Sequence, residues 1–170
     1  MRRRPGLPHS APAQVRGLLG PGERVLAWTQ DHAGRPVVAS THALYLTPGG
    51  APDRVPYEQV ASATWDDPVL EVVTVGPGRR RTAVHLPEPG LVPTTVRDRV
   101  TASVVLSEHV ALLGEAGAQI SARRPPASQA AEPGPVSWNV VFDPGLDPAD
   151  PQVRAAADQA IAELRATTGL

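Results

Sequence analysis

Chemistry in this chain must start from few reactive side chains. The histidines are His9, His32, His42, His85 and His109, and none stands at H-x-x-x-H or H-x-E spacing. Metal chemistry needs such spacing to bring two ligands onto one face, so no metal site is assigned. There is no cysteine and no lysine; all sixteen basic residues are arginine. That removes thiolate nucleophiles, cysteine zinc sites, Schiff-base chemistry and the P-loop lysine. Asp66-Asp67 is an adjacent carboxylate pair, but Pro68 follows it and marks a turn. Ser107-Glu108-His109 holds the residue types of a hydrolytic triad. Neighbours on a strand point to opposite faces, so these three do not converge by themselves. Neither G-x-S-x-G, a P-loop nor G-x-G-x-x-G occurs. No catalytic residue and no cofactor is therefore assigned. An enzyme, of a small hydrolase-like kind, would need a pocket gathering Asp66, Asp67 and His42 or His85.

The one charge cluster is Arg79, Arg80 and Arg81, at an expected hairpin tip. Guanidinium groups there could fork onto a phosphate or carboxylate. A solvated tip is the simpler reading. Arg123-Arg124 is a smaller basic spot, and no aromatic sits beside the triple arginine to stack a base.

The elements that would position these residues are short. The 170 residues, 41% of them hydrophobic and 19% charged, carry a net charge of −1. This suits a globular protein with one core or two small ones, and argues against bulk binding to nucleic acid or membrane. Residues 1–10 read as a flexible basic tail without the apolar run of a signal peptide. A cytoplasmic location is the expectation. A short helix follows, capped by Ser10 with Pro12 in its first turn, and Gly20-Pro21-Gly22 ends it. Seven strands are expected at 24–29, 36–40, 43–47, 54–57, 60–65, 69–75 and 81–86, with turns between them, one at Gly76-Pro77-Gly78. Pro56 makes the fourth an edge strand, and Trp65 in the fifth is a core or interface anchor. A helix over 90–103 carries Val92, Val96 and Val100 on one face, flanked by Leu91 and Val104, with Arg97, Asp98 and Arg99 solvated. Strands at 104–112 and 118–123 could form a hairpin across 114–117. A mobile loop is expected over 125–135, then an alternating strand over 136–142. The last helix spans about 150–168, with Asp150 as cap, Pro151 in its first turn and Gly169 as stop.

Three stretches resemble a known superfamily. Gly22-Glu23-Arg24-Val25-Leu26-Ala27-Trp28 looks like the opening strand of bacterial pleckstrin-homology-like domains. Val37-Val38-Ala39-Ser40-Thr41-His42-Ala43-Leu44-Tyr45-Leu46 resembles their following hairpin, and Arg54-Val55-Pro56-Tyr57-Glu58-Gln59-Val60 their step into the second sheet. The resemblance covers residues 22–103. The whole chain resembles a group of small proteins of high-GC Gram-positive (actinobacterial) bacteria, in keeping with abundant Ala, Gly, Pro, Val and Arg, one Asn and two Ile. It implies an α+β, mostly antiparallel fold. Residues 11–103 would be a seven-stranded barrel closed by a helix, and residues 104–170 a β-β-β-α extension. Phosphoinositide-binding members carry a basic first hairpin; here Gln30-Asp31-His32-Ala33-Gly34-Arg35 has one Arg and one Asp.

These readings lead to a non-enzymatic binding or scaffold module. Its partner would be a protein or peptide taken by strand addition in a groove beside the closing helix. The extension from Val104 could instead fill that groove. The alternative is an anion or nucleic-acid binder working through Arg79, Arg80 and Arg81 and the Arg2, Arg3, Arg4 tail.

Overall fold

A computed structural model describes residues 13–75, 78–127 and 133–170. The basic tail, Ser10, Pro12, Gly76-Pro77 and the middle of the 125–135 loop lie outside the described residues. The chain divides into two compact units, one ending at Ser103 and taking in Pro125, the other made of Val104–Arg124 and Pro133–Leu170. The fold is α+β, with antiparallel sheets throughout.

In the first unit, β-branched runs broken by turn residues give seven strands. β1 (Val25–Gln30), β2 (Pro36–Ser40), β3 (Ala43–Leu46) and β4 (Asp53–Pro56) form one sheet in that order. β5 (Val60–Asp66), β6 (Val69–Thr74) and β7 (Arg81–His85) form another. Of the expected seven-stranded barrel, the described residues show the seven strands as two separate sheets, and no closed barrel is found among them. The ladder breaks where β4 ends on Pro56, which has no N–H to donate. A 3-10 turn, Tyr57–Gln59, then redirects the chain into β5.

A core forms from Ala27, Val37, Leu44, Leu46, Val55, Tyr57, Val60, Leu70, Val72 and Leu86. Helix α2 (Val92–Ser103) adds Val92 and Val96, with Val100 partly buried beside them. Positions four apart lie on one helical face, so a single stripe buries while the rest faces water. Leu91, expected to flank that stripe, is instead 58% exposed, because it precedes the helix and misses its register. A second cluster covers the other face of the four-stranded sheet: Val15, from the short helix α1 (Ala13–Arg16), with Val38, Ala43 and Tyr45, and Leu18, Leu19, Val25 and Trp28 around them. This accounts for the unbroken burial of β3, whose four residues are covered on both faces.

The second unit is one sheet with one helix. β8 (Val104–Leu113), β9 (Ala116–Arg123) and β10 (Ser137–Phe142) pair in the order β10-β9-β8. The β8–β9 turn is tighter than expected, leaving only Gly114 and Glu115 between the strands. Gly117 is required where it stands: a Cβ there would lie 2.1 Å from the Val110 carbonyl oxygen. Helix α3 (Pro151–Thr168) opens with the Asp150 carboxylate accepting from the Gln152 N–H at 2.8 Å. It closes with Gly169 in the left-handed region, φ 70°. It packs on β8, and Arg165 lies 5.4 Å from the Trp138 ring. Trp138 faces Ala122 across the β9–β10 ladder, so α3 covers the face that carries buried Ala118, Ile120 and Ala122.

Candidate functional site

A polar cluster of the first unit is built around Glu23, in the stretch that opens the chain's β structure. Glu23 lies just before β1, and its side chain is only 3% exposed. Ser40 Oγ and Tyr45 OH donate to its Oε2 at 2.7 and 2.8 Å, while Arg54 Nε donates to its Oε1 at 2.9 Å and Arg54 Nη2 completes the ion pair. Tyr45 OH also accepts from the Gly20 N–H at 2.9 Å. Ser40 Oγ accepts from the His42 and Ala43 N–H groups, and Tyr57 OH donates to the Ser40 carbonyl at 3.1 Å. Burial alone would raise the Glu23 carboxyl, but the bonds from Ser40, Arg54 and Tyr45 outweigh it and hold it below its ordinary value. Tyr57 is pushed up by burial, and Tyr45 by burial and by Glu23. Glu23, Ser40, Tyr45 and Arg54 are all engaged with one another or with nearby backbone. The cluster ties the approach to β1 onto β2, β3 and β4; it is a brace for the sheet.

The residues considered for catalysis do not assemble. Val69 faces Asp66 across one ladder and His85 across the next. Two strand spacings put Asp66 and His85 about 10 Å apart. His42 Nδ1 lies 3.4 Å from Thr41 Oγ1, and no hydrogen bond joins it to either aspartate among the described residues. His85 instead stacks edge-on with His32, ring centroids 5.7 Å apart, over a cavity of about 60 Å³. His9 lies outside the described residues. Among the described residues no three His, Asp or Glu side chains gather at metal distance.

Ser107, Glu108 and His109 lie in sequence along β8, and His109 finds a partner the sequence did not offer. His109 Nε2 sits 2.9 Å from Asp143 Oδ2, which also accepts from the Gly117 N–H at 2.7 Å. Those two contacts, the backbone one first, hold the Asp143 carboxyl below its ordinary range. Nothing local to Asp143-Pro144 shows that the end of β10 comes to lie across β9 from His109 on β8.

The triple arginine is largely neutralised. Arg80 pairs with Asp53 on β4, and Arg81 makes a two-pronged bond to Glu71 at 2.6 and 2.8 Å. Arg79 has no carboxylate partner among the described residues. Arg81 reaches Glu71 diagonally across the ladder, since Glu71 pairs with Ala83, two residues along β7.

An open groove of about 960 Å³ lies between β5 and α2. β5 supplies Ala63, Thr64 and Trp65, and Leu70 of β6 lies beneath. One stripe of α2, Pro93, Thr94, Arg97, Asp98, Thr101 and Ala102, forms the other wall. Among the described strands β5 is an outer strand of its sheet and pairs with β6. Ala63 and Trp65 pack toward the core while Ser62, Thr64 and Asp66 are exposed, the alternation of a half-covered strand. β5 contains no proline, whereas the outer strand β4 ends in one. A second concavity, about 480 Å³, is lined by Trp28, Asp31 and Glu88. Two of its polar groups are already used: Asp31 bonds Arg35 and the Ala33 N–H, and the Glu88 carbonyl accepts from Thr29 Oγ1. The sequence marked Trp65 as an anchor and Arg97 as solvated. It could not show that the two face one groove, because that depends on how α2 returns over the second sheet.

Among the described residues no helix is long and apolar enough to cross a membrane. Comparison of the chain with protein-family models, curated proteins and solved structures gave no match.

Proposed function

We propose that residues 22–103 are a pleckstrin-homology-like binding module of the cytoplasm, and that it takes a protein or peptide segment as an added strand on β5. The observation that carries this reading is an outer strand free of proline beside an open groove with a helix for its far wall. Strand addition supplies main-chain hydrogen bonds along the edge, and alternate side chains of the guest enter the groove. Two sheets followed by a helix that buries one stripe support the fold assignment. The engagement of Arg80 and Arg81 by Asp53 and Glu71 weighs against an anion site at that tip. The dispersal of Asp66 and His85 weighs against a hydrolytic one.

The test is a selection of short random peptides displayed on phage against the full chain, followed by NMR mapping of amide shifts with a synthetic winner. Shifts confined to β5 and the groove face of α2 are expected. Shifts centred on Arg79, Arg80 and Arg81, or on the second unit, would overturn the reading.

A further inference from the structure

The second unit leaves one long strand without a neighbour on its outer side. β8 is ten residues long, contains no proline, and pairs only with β9 among the described strands. In its middle, Ser107, Glu108 and His109 are exposed in succession. Neighbours on a strand point to opposite faces, so both faces are open to water there. In β10, the other outer strand, Trp138, Asn139 and Val140 are half-buried. The backbone of β8 has groups to offer on the open side. The Gly117 carbonyl accepts from the Asp143 N–H, so Gly117 turns its backbone toward β10. Its ladder partner Ala111 therefore turns its own N–H and C=O away from β9, and by alternation so do His109 and Ser107. No hydrogen bond reaches these outward groups among the described residues. Register shifts at either end leave the ladder regular from Leu106 to Ala111. At those two ends stand Val105 and Leu113, 38% and 42% exposed, two of the four exposed large hydrophobic side chains among the described residues.

We infer that β8 is a dimerisation edge and that its partner is β8 of a second copy of this chain, laid antiparallel about a two-fold axis at His109. The strand is complementary to itself in that register. His109 meets the second copy's His109, Ser107 meets its Ala111, and Glu108 meets its Val110. The outward-turned residues then exchange main-chain bonds with one another. Val105 of each copy comes beside Leu113 of the other, which takes both exposed side chains out of water. A slip that centred the axis on Glu108 would set two carboxylates directly opposite, and one centred on Val110 would set Val105 against Glu115. At the axis each His109 brings its own Asp143 at 2.9 Å, so the two rings do not meet as bare cations. The buried layer of this unit is mostly alanine, and association is one way a unit short of core gains stability.

The experiment follows the full chain by sedimentation velocity from micromolar to near-millimolar concentration. A single strand pair is a small interface, so the mean mass should rise with concentration toward twice that of one chain. Val105→Lys and Leu113→Lys together should keep the chain a monomer throughout. Both positions are exposed, and thermal melts check that the variant folds. The register is read through single cysteines, which report only on their own copies because the chain has none. In this pairing two residues at 109 have Cα atoms about 5.5 Å apart, within disulfide reach, while two at 108 lie diagonally at about 7–8 Å. Under mild oxidation His109→Cys should therefore cross-link several-fold faster than Glu108→Cys. A monomer at every concentration, or a dimer unmoved by the two lysines, would overturn the inference. Equal rates at the two positions, or faster cross-linking at 108, would overturn the pairing about His109.

Discussion

Glu23 is where a single side chain has most influence on the first unit. Its carboxylate is covered, yet it collects bonds from Ser40, Tyr45 and Arg54. A carboxylate so placed is stable only while it is charged and fully bonded. Glu23→Gln keeps the shape and removes the charge, and turns an amide N–H toward donors. Hydrogen bonds to charged groups contribute about 1.5–3 kcal/mol each, and Arg54 is partly solvated, so a net loss of about 2 kcal/mol is expected. Urea unfolding followed by tryptophan fluorescence measures it. The sign of the pH dependence follows from the same bonds. Glu23 and Asp31 titrate below their ordinary values of 4.5 and 3.8 in the folded chain. The unfolded chain therefore takes up these protons first, so their stabilisation is complete above about pH 5. It drains away as pH falls through the folded values. Urea midpoints should fall steeply below about pH 4.5, and Glu23→Gln should flatten that fall; an equally steep fall in the variant would show that Glu23 is not the group responsible. Arg81 gives the opposite expectation. Its bond to Glu71 is solvent-exposed at both ends, and such pairs contribute little. Arg81→Ala should leave the urea midpoint unchanged within error.

At the scale of elements, what was legible in the sequence is what depends on local period. Alternation in β5 and the i, i+4 stripe of Val92, Val96 and Val100 are written in neighbouring residues. Asp150-Pro151 and Gly169 likewise mark the ends of α3 on their own. The brace at Glu23 was not legible, because Glu23, Ser40, Tyr45 and Arg54 meet only once three strands are in register. The break between sheets escaped for a related reason: Pro56 weakens an edge in any fold, but whether a neighbour bridges past it is a tertiary matter. The groove stayed hidden too, since solvated Arg97 and half-buried Trp65 look ordinary apart. Gly117 is a case where register alone sets the residue. Ala111 pairs with Gly117, Val110 with Ala118, and the irregularity between Ala111 and Leu113 brings the Val110 carbonyl against the Gly117 Cα. A methyl group cannot enter that space without moving backbone. Gly117→Ala should cost about 3 kcal/mol and also disturb Asp143, which bonds the Gly117 N–H. Circular-dichroism melts of this variant beside Asp150→Ala, expected to lose about 1 kcal/mol, test the ranking; equal losses would show that the close approach relaxes freely.

The whole molecule sets two unlike cores in one chain. The first unit buries Leu44, Leu46, Leu70, Leu86 and Tyr57 with several valines, and all of these precede Ser103. The apolar stripe of α2 ends within the same stretch, and Ser103 Oγ donates to the Val100 carbonyl at 2.6 Å. The second unit buries Ala118, Ala122, Ala157 and Ala160, with Ile120 and Val153 its only larger fully covered side chains among the described residues. Burial stabilises in proportion to apolar area, about 25 cal/mol per Å², so an alanine-rich layer contributes far less than a layer of leucine and valine. A sheet covered by one helix is also short of area for its length. A chain comprising residues 1–103 should therefore fold alone, with a cooperative urea transition and dispersed amide resonances. Residues 104–170 alone should be marginal. Within the intact protein, amides of β2 and β3 should exchange with deuterium far more slowly than those of β8 and β10, because local opening of the second unit exposes little apolar surface. Uniform protection across both units would mean that they unfold as one, and that the first unit's larger core supports the second.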